Sequence, residues 1–133
     1  MTPCFGDTFL FLALLVEGDE AHERAVRAIT GLKRDLYTTT WVLTEVADAI
    51  AAPATRKTFV AFLGFLRSHP KVVITPTTDD LFGRGVDLFE KRPDKARSLT
   101  DCISFVVMRE QGISDALTGD HHFEQAGFVA LLK

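Results

Sequence analysis

The stretch that most restricts how this chain can fold runs from Leu99 to Met108. Leu99, Cys102, Ile103, Phe105, Val106, Val107 and Met108 put apolar side chains on nearly every face of a predicted helix. A helix with so little polar surface has to be buried. Ser98 precedes it in an N-cap position, and Gly112 follows as a stop. A short strand is predicted next, with Asp120 at its end. Asp101 is the anomaly, because it sits in the first turn of the apolar helix. A carboxylate beside a buried helix is costly unless it is paired, hydrogen-bonded or on a metal.

The remaining segments alternate between strand and helix patterns. Pro3 to Asp7 reads as a short buried strand, and the apolar run Phe9 to Val16 as the first helix, interrupted at Glu17-Gly-Asp-Glu20. Ala21, Ala25, Ile29 and Leu32 form a helical stripe. Leu36 to Thr39 is a strand candidate, followed by a helix over Trp41 to Ala52 that Pro53 ends. Val42, Leu43, Val46, Ala47 and Ile50 share one face of that helix; Glu45 lies at its border and Asp48 points away. Arg56 to Arg67 is amphipathic, Val72 to Thr75 reads as a strand, and Thr77-Thr-Asp-Asp80 opens a helix through Leu81, Phe82, Val86 and Phe89. Lys91 to Arg97 is a basic loop, and Phe128 to Leu132 a closing strand. With no repeat or linker in 133 residues, the expectation is one domain, 1–133, of α/β class with a mainly parallel sheet. In such sheets, sites form outside the carboxyl ends of the strands.

Composition narrows the function. The formal charge is −3, which argues against gripping nucleic acid by bulk charge but not against a nuclease whose acids are neutralised by bound cations. Eleven Phe against one Tyr and one Trp points the aromatics inward. Cys4 and Cys102 make no disulfide framework, so a reducing cytoplasm is the expected location. The apolar run at Phe9 is too short for a membrane span of about 20 residues, and it lacks a basic leader. There is no glycine-rich phosphate loop, which leaves a nucleoside triphosphatase unsupported.

The acids Asp7, Glu45, Asp101 and Asp120 all fall at strand ends or in the first turns of helices. Those positions converge on one rim of a parallel sheet. Two carboxylates about 4 Å apart repel by on the order of 4 kcal/mol at an effective dielectric of 20, and a divalent cation reverses that sign. Oxygen-only ligands suit Mg²⁺, or Mn²⁺, which can activate water for displacement at a phosphodiester. Each acid also has a plainer reading: Asp101 as part of a Ser98-x-x-Asp101 cap, Glu45 as a solvated border residue, Asp7 and Asp120 as turn acids.

Four pieces in order carry a family resemblance: Asp7-Thr-Phe-Leu-Phe-Leu-Ala-Leu-Leu, Asp19-Glu-Ala-His-Glu-Arg-Ala25, Thr38-Thr-Thr-Trp-Val-Leu-Thr-Glu45, and the tail Ser98 to Met108 with Leu117-Thr-Gly-Asp-His-His-Phe-Glu-Gln-Ala-Gly-Phe128. Across nearly its whole length the chain resembles the PIN-domain proteins, specifically the VapC-like ribonuclease toxins of type II toxin–antitoxin systems. The resemblance implies a three-layer α/β/α sandwich and a Mg²⁺-binding cluster of Asp7, Glu45, Asp101 and Asp120. It implies endoribonuclease activity on RNA, a small antitoxin partner and homodimerisation. The chain departs from the pattern at Phe9, where the family often has a small polar residue.

Other residues bear on the site. Ser98, Thr100, Ser104 and Thr118 are candidate donors to the carboxylates. His121 and His122 are expected in a surface turn beside it. Lys91, Arg92, Lys95 and Arg97 are either a solvated loop or contacts to RNA phosphates. Competing functions are a housekeeping PIN nuclease of RNA maturation, a PIN-like module that only binds a partner, and a phosphate-accepting receiver domain. The receiver needs paired acids after the first strand and a late lysine; this chain has Asp7 alone and only the final Lys133.

Overall fold

The computed structural model describes residues 1–133. Twelve elements follow in order: β1 (Cys4–Gly6), α1 (Thr8–Leu15), α2 (His22–Thr30), β2 (Leu36–Thr39), α3 (Thr40–Ala49), α4 (Arg56–Ser68), β3 (Val72–Thr75), α5 (Asp79–Lys91), α6 (Leu99–Glu110), β4 (Asp115–Leu117), α7 (His121–Gln125) and β5 (Val129–Ala130). The strands form one sheet in the order β3-β2-β1-β4-β5, flanked by the helices. Every pairing is parallel, from Cys4 opposite Leu36 and Asp115 to Ala116 opposite Ala130. The expected mainly parallel sheet is therefore parallel throughout.

That strand order matters for function. From β1 the chain moves outward through β2 and β3, then returns to the other side of β1 for β4 and β5. The direction reverses between β1 and β4, and at such a reversal the connections leave a crevice at the carboxyl ends of the strands.

The apolar helix α6 is buried as its composition requires: Cys102, Ile103, Ser104, Phe105, Val107 and Met108 are all inaccessible. It packs against α5 through a close approach at Gly85, where a Cβ would stand 2.3 Å from Ile103 Cγ1. Phe105, Phe123 and Phe128 meet in one aromatic group beneath α7, with Phe105 and Phe123 edge to face at 4.9 Å. Gly112 ends α6 at φ 68°, a left-handed conformation in which glycine carries no Cβ penalty.

Boundaries differ from the sequence reading in a few places. The first strand stops at Gly6 because Asp7 is already the N-cap of α1. Helix α3 ends at Ala49, three residues short of Ala52; the Ile50 N–H bonds to both Val46 and Ala47, and the Ile50 carbonyl takes the Thr55 hydroxyl. The closing strand shrinks to Val129–Ala130, at the sheet edge. Arg97 is not part of a solvated loop. It is buried, with its guanidinium 5.5 Å over the Phe105 ring.

Candidate active site

Asp7 leaves β1 at the centre of the sheet and caps α1 by accepting the Leu10 N–H at 3.2 Å. Its second oxygen accepts the Thr118 hydroxyl at 2.7 Å. Thr118 follows β4, the strand on the other side of the reversal, and its oxygen also accepts the Asp120 N–H at 3.0 Å. One hydroxyl thus ties Asp7 to the turn that carries Asp120.

The other two acids come from helices. Asp101 stands in the first turn of α6, and its N–H donates to Ser98 Oγ at 3.0 Å. Ser98 is therefore the cap, and the Asp101 carboxylate is left free of capping duty. Glu45 is half-buried on α3 and accepts the Thr8 hydroxyl at 2.5 Å.

Charge repulsion links Asp7 to Asp101 and Asp120, and Asp101 to Asp120 and Glu45. Burial pushes the Asp7 carboxyl up from 3.8 to about 7; the hydrogen bonds from Thr118 and Leu10 oppose this, and Asp101 and Asp120 add to it. Asp101 is pushed up to about 6, chiefly by burial and then by repulsion from Asp120 and Glu45, with His122 opposing. None of the four is paired with a lysine or arginine. Carboxylates that repel one another and have no lysine or arginine partner are of the donor type that suits a hard divalent ion such as Mg²⁺ or Mn²⁺.

Several sequence expectations can now be placed. Thr118 is a donor to a cluster carboxylate, as anticipated. Ser104 is not: its hydroxyl donates back to the Thr100 carbonyl of its own helix at 3.0 Å. Thr8 was not anticipated, although a hydroxyl directly after Asp7 in the opening turn of a helix was a readable signal. His122 was expected in a surface turn beside the site; its Nδ1 is 3.0 Å from Asp120 Oδ1 and 3.8 Å from Asp101 Oδ2, and its side chain is 21% exposed. Phe9 has a packing role: a Cβ on Gly119 would lie 2.5 Å from Phe9 Cζ, so the ring rests on the turn just before Asp120.

A parallel sheet in this order, with helices on its faces, defines a doubly wound α/β class, and comparison makes it specific. The chain belongs to the PIN domain family, which matches residues 4–129. It is 30% identical over 125 residues to the 23S rRNA-specific endonuclease VapC20 of Mycobacterium tuberculosis, covering 94% of this chain and 95% of that one. The crystal structure of that VapC20, described as a sarcin-ricin loop cleaving toxin, matches with a TM-score of 0.88 at 28% identity, over 98% of this chain and 99% of the other. FitAcB from Neisseria gonorrhoeae matches with a TM-score of 0.68 at 18% identity, over 100% and 97% of the two chains, a likeness of fold alone.

Proposed function

We propose that the chain is a Mg²⁺-dependent endoribonuclease (Mn²⁺ serving as a substitute) and the toxin of a type II toxin–antitoxin pair. The observation that supports this is the mutual repulsion of Asp7, Asp101 and Asp120, with Glu45 acting on Asp101, and no lysine or arginine paired with any of them. The 30% identity to a 23S rRNA endonuclease supports RNA as the substrate, and the likeness to a sarcin-ricin loop cleaving toxin makes that loop the first candidate.

In this reading Asp7 and Asp101 hold the cation directly, and Glu45 and Asp120 complete the cluster. When bound, a divalent ion supplies charge for an in-line displacement at phosphorus and lowers the pKa of water. The protein's own part is positioning. Thr118 fixes Asp7 and the Asp120 backbone relative to each other, and Thr8 orients Glu45. Ser98 caps α6 so that Asp101 need not. Burial of Asp7 keeps one corner of the site shielded from bulk water.

The antitoxin reading has its own support. A small apolar pocket of about 50 Å³ is lined by Phe11, Leu14, Ile29, Phe62 and Phe65 from α1, α2 and α4. On α4, Val60 is 67% and Phe65 53% exposed. The exposed apolar side chains of α4, rather than the pocket itself, are what an amphipathic helix of a small partner would cover. Homodimerisation belongs to the same proposal, as does the reading of residues 1–133 as one nuclease domain. No helix is long and apolar enough to cross a membrane.

The test is cleavage of 23S rRNA, within ribosomes and as naked RNA, by the purified chain with Mg²⁺. The expected products carry 5′-phosphate and 3′-hydroxyl ends, because water attacks phosphorus and the 3′-oxygen is the leaving group, taking up a proton. A 2′,3′-cyclic phosphate would show the RNA's own 2′-hydroxyl attacking and would overturn the mechanism.

A further inference from the structure

Asp120 shares its turn with two histidines to which the proposed Mg²⁺ centre assigns no role. One ligand atom from each of Asp120, His121 and His122 can be chosen so that all three lie within 4.8 Å of one another. His122 Nδ1 is 3.0 Å from Asp120 Oδ1, and His121 Nδ1 is 3.8 Å from the same oxygen. Two ligand atoms about 2.1 Å from a tetrahedral ion stand roughly 3.4 Å apart, and each of these separations lies within about 0.4 Å of that.

The helix cap does not account for this arrangement. Asp120 Oδ1 accepts the His122 N–H at 2.9 Å, which fixes the carboxylate at the start of α7. It does not require both imidazoles to turn a nitrogen toward that oxygen. Their rings lie 4.2 Å apart, and no lysine or arginine contacts any of the three side chains. The His121 side chain is 63% exposed, so an ion can reach the group from solvent and His121 can rotate onto it. His122, 21% exposed, is held more firmly against the cluster.

We propose that Asp120, His121 and His122 form a second cation site, one that takes a first-row transition metal such as Zn²⁺ in preference to Mg²⁺. Two imidazoles and a carboxylate suit Zn²⁺, whereas Mg²⁺ keeps oxygen ligands and most of its water. The site shares Asp120 with the proposed Mg²⁺ centre but does not depend on the nuclease reading. An ion bound here competes with that centre for the Asp120 carboxylate.

The experiment is calorimetric titration of the full chain with Zn²⁺ in saturating Mg²⁺, on wild type, His121→Gln and His122→Gln. The expected result is one Zn²⁺ per chain, bound at least about tenfold more weakly by each variant, since even the loss of an outer-shell partner costs 10–100-fold. A second measurement needs no substitution: Zn²⁺ is expected to shift the ring nitrogens of His121 and His122 in ¹⁵N NMR and to leave those of His22 and His69 in place. Unchanged affinity in both variants, or shifts confined to the other two histidines, would overturn the site. A chain that cleaves RNA with Mg²⁺ yet binds Zn²⁺ independently of both histidines refutes this inference and leaves the nuclease reading standing.

Discussion

Asp7 is buried at the mouth of the sheet, and the neighbours that hold it in place also decide its charge. With its carboxyl raised to about 7 and that of Asp101 to about 6, the ion-free folded chain holds more protons than the unfolded chain between about pH 4 and 7. Stability then falls as pH rises through that window, because deprotonation forces charge into a buried cluster. Thermal melts in EDTA are expected to show a higher Tm at pH 5 than at pH 7.5, and Mg²⁺ to restore much of the loss at the higher pH. A Tm that rises steadily with pH in EDTA would show that the cluster is not strained by its own charge. Thr118 acts on the same residue from outside. Thr118→Val removes the donor to Asp7 and the acceptor of the Asp120 N–H. The expected cost is about 1–3 kcal/mol of stability for the unsatisfied buried groups, with Mg²⁺ affinity about 10–100-fold weaker. Denaturant unfolding and Mg²⁺ titration check the two parts separately.

At the scale of elements, the site depends on where helices begin. Asp7 and Asp120 are N-caps, and Asp101 lies three residues after one, so ordinary capping brings three acids to the same rim. Helix α6 is held in position largely by α5, and Gly85 is where they touch. Gly85→Ala improves helix propensity by up to about 1 kcal/mol, but the new methyl meets the buried Ile103 side chain, and overpacking of that kind costs about 1–3 kcal/mol. Net destabilisation of about 1 kcal/mol is expected in urea unfolding; a more stable variant would mean that the two helices separate freely. These elements differ in how well they could be read from sequence. Strands β2 and β3 match their predicted bounds because β-forming residues end sharply at a cap or a proline. The end of α3 was misplaced because Thr55, a residue beyond the helix, supplies the bond that closes it. The burial of Arg97 was invisible for a similar reason: its partner Phe105 is reached only through tertiary packing.

On the scale of the whole molecule, sequence indicated a parallel α/β fold and four acids at strand ends or helix starts, but not which strands are neighbours. The order β3-β2-β1-β4-β5 sets Asp7 beside the Asp120 turn, although 113 residues separate them in the chain. The approach of His122 to Asp101 depends on tertiary packing, which the resemblance indicated only as far as a surface turn beside the site. The central claim is that these carboxylates make a cation-dependent ribonuclease, and its most direct test compares wild type with Asp101→Asn on 23S rRNA in Mg²⁺, with wild type in EDTA alongside. The account predicts wild-type cleavage that EDTA abolishes and added Mg²⁺ restores. It also predicts at least about a hundredfold slower cleavage by Asp101→Asn, given the charge stabilisation an ion brings to phosphoryl displacement, with an unchanged circular dichroism spectrum. Wild-type cleavage that persists in EDTA, or equal cleavage by a folded Asp101→Asn variant, would contradict it.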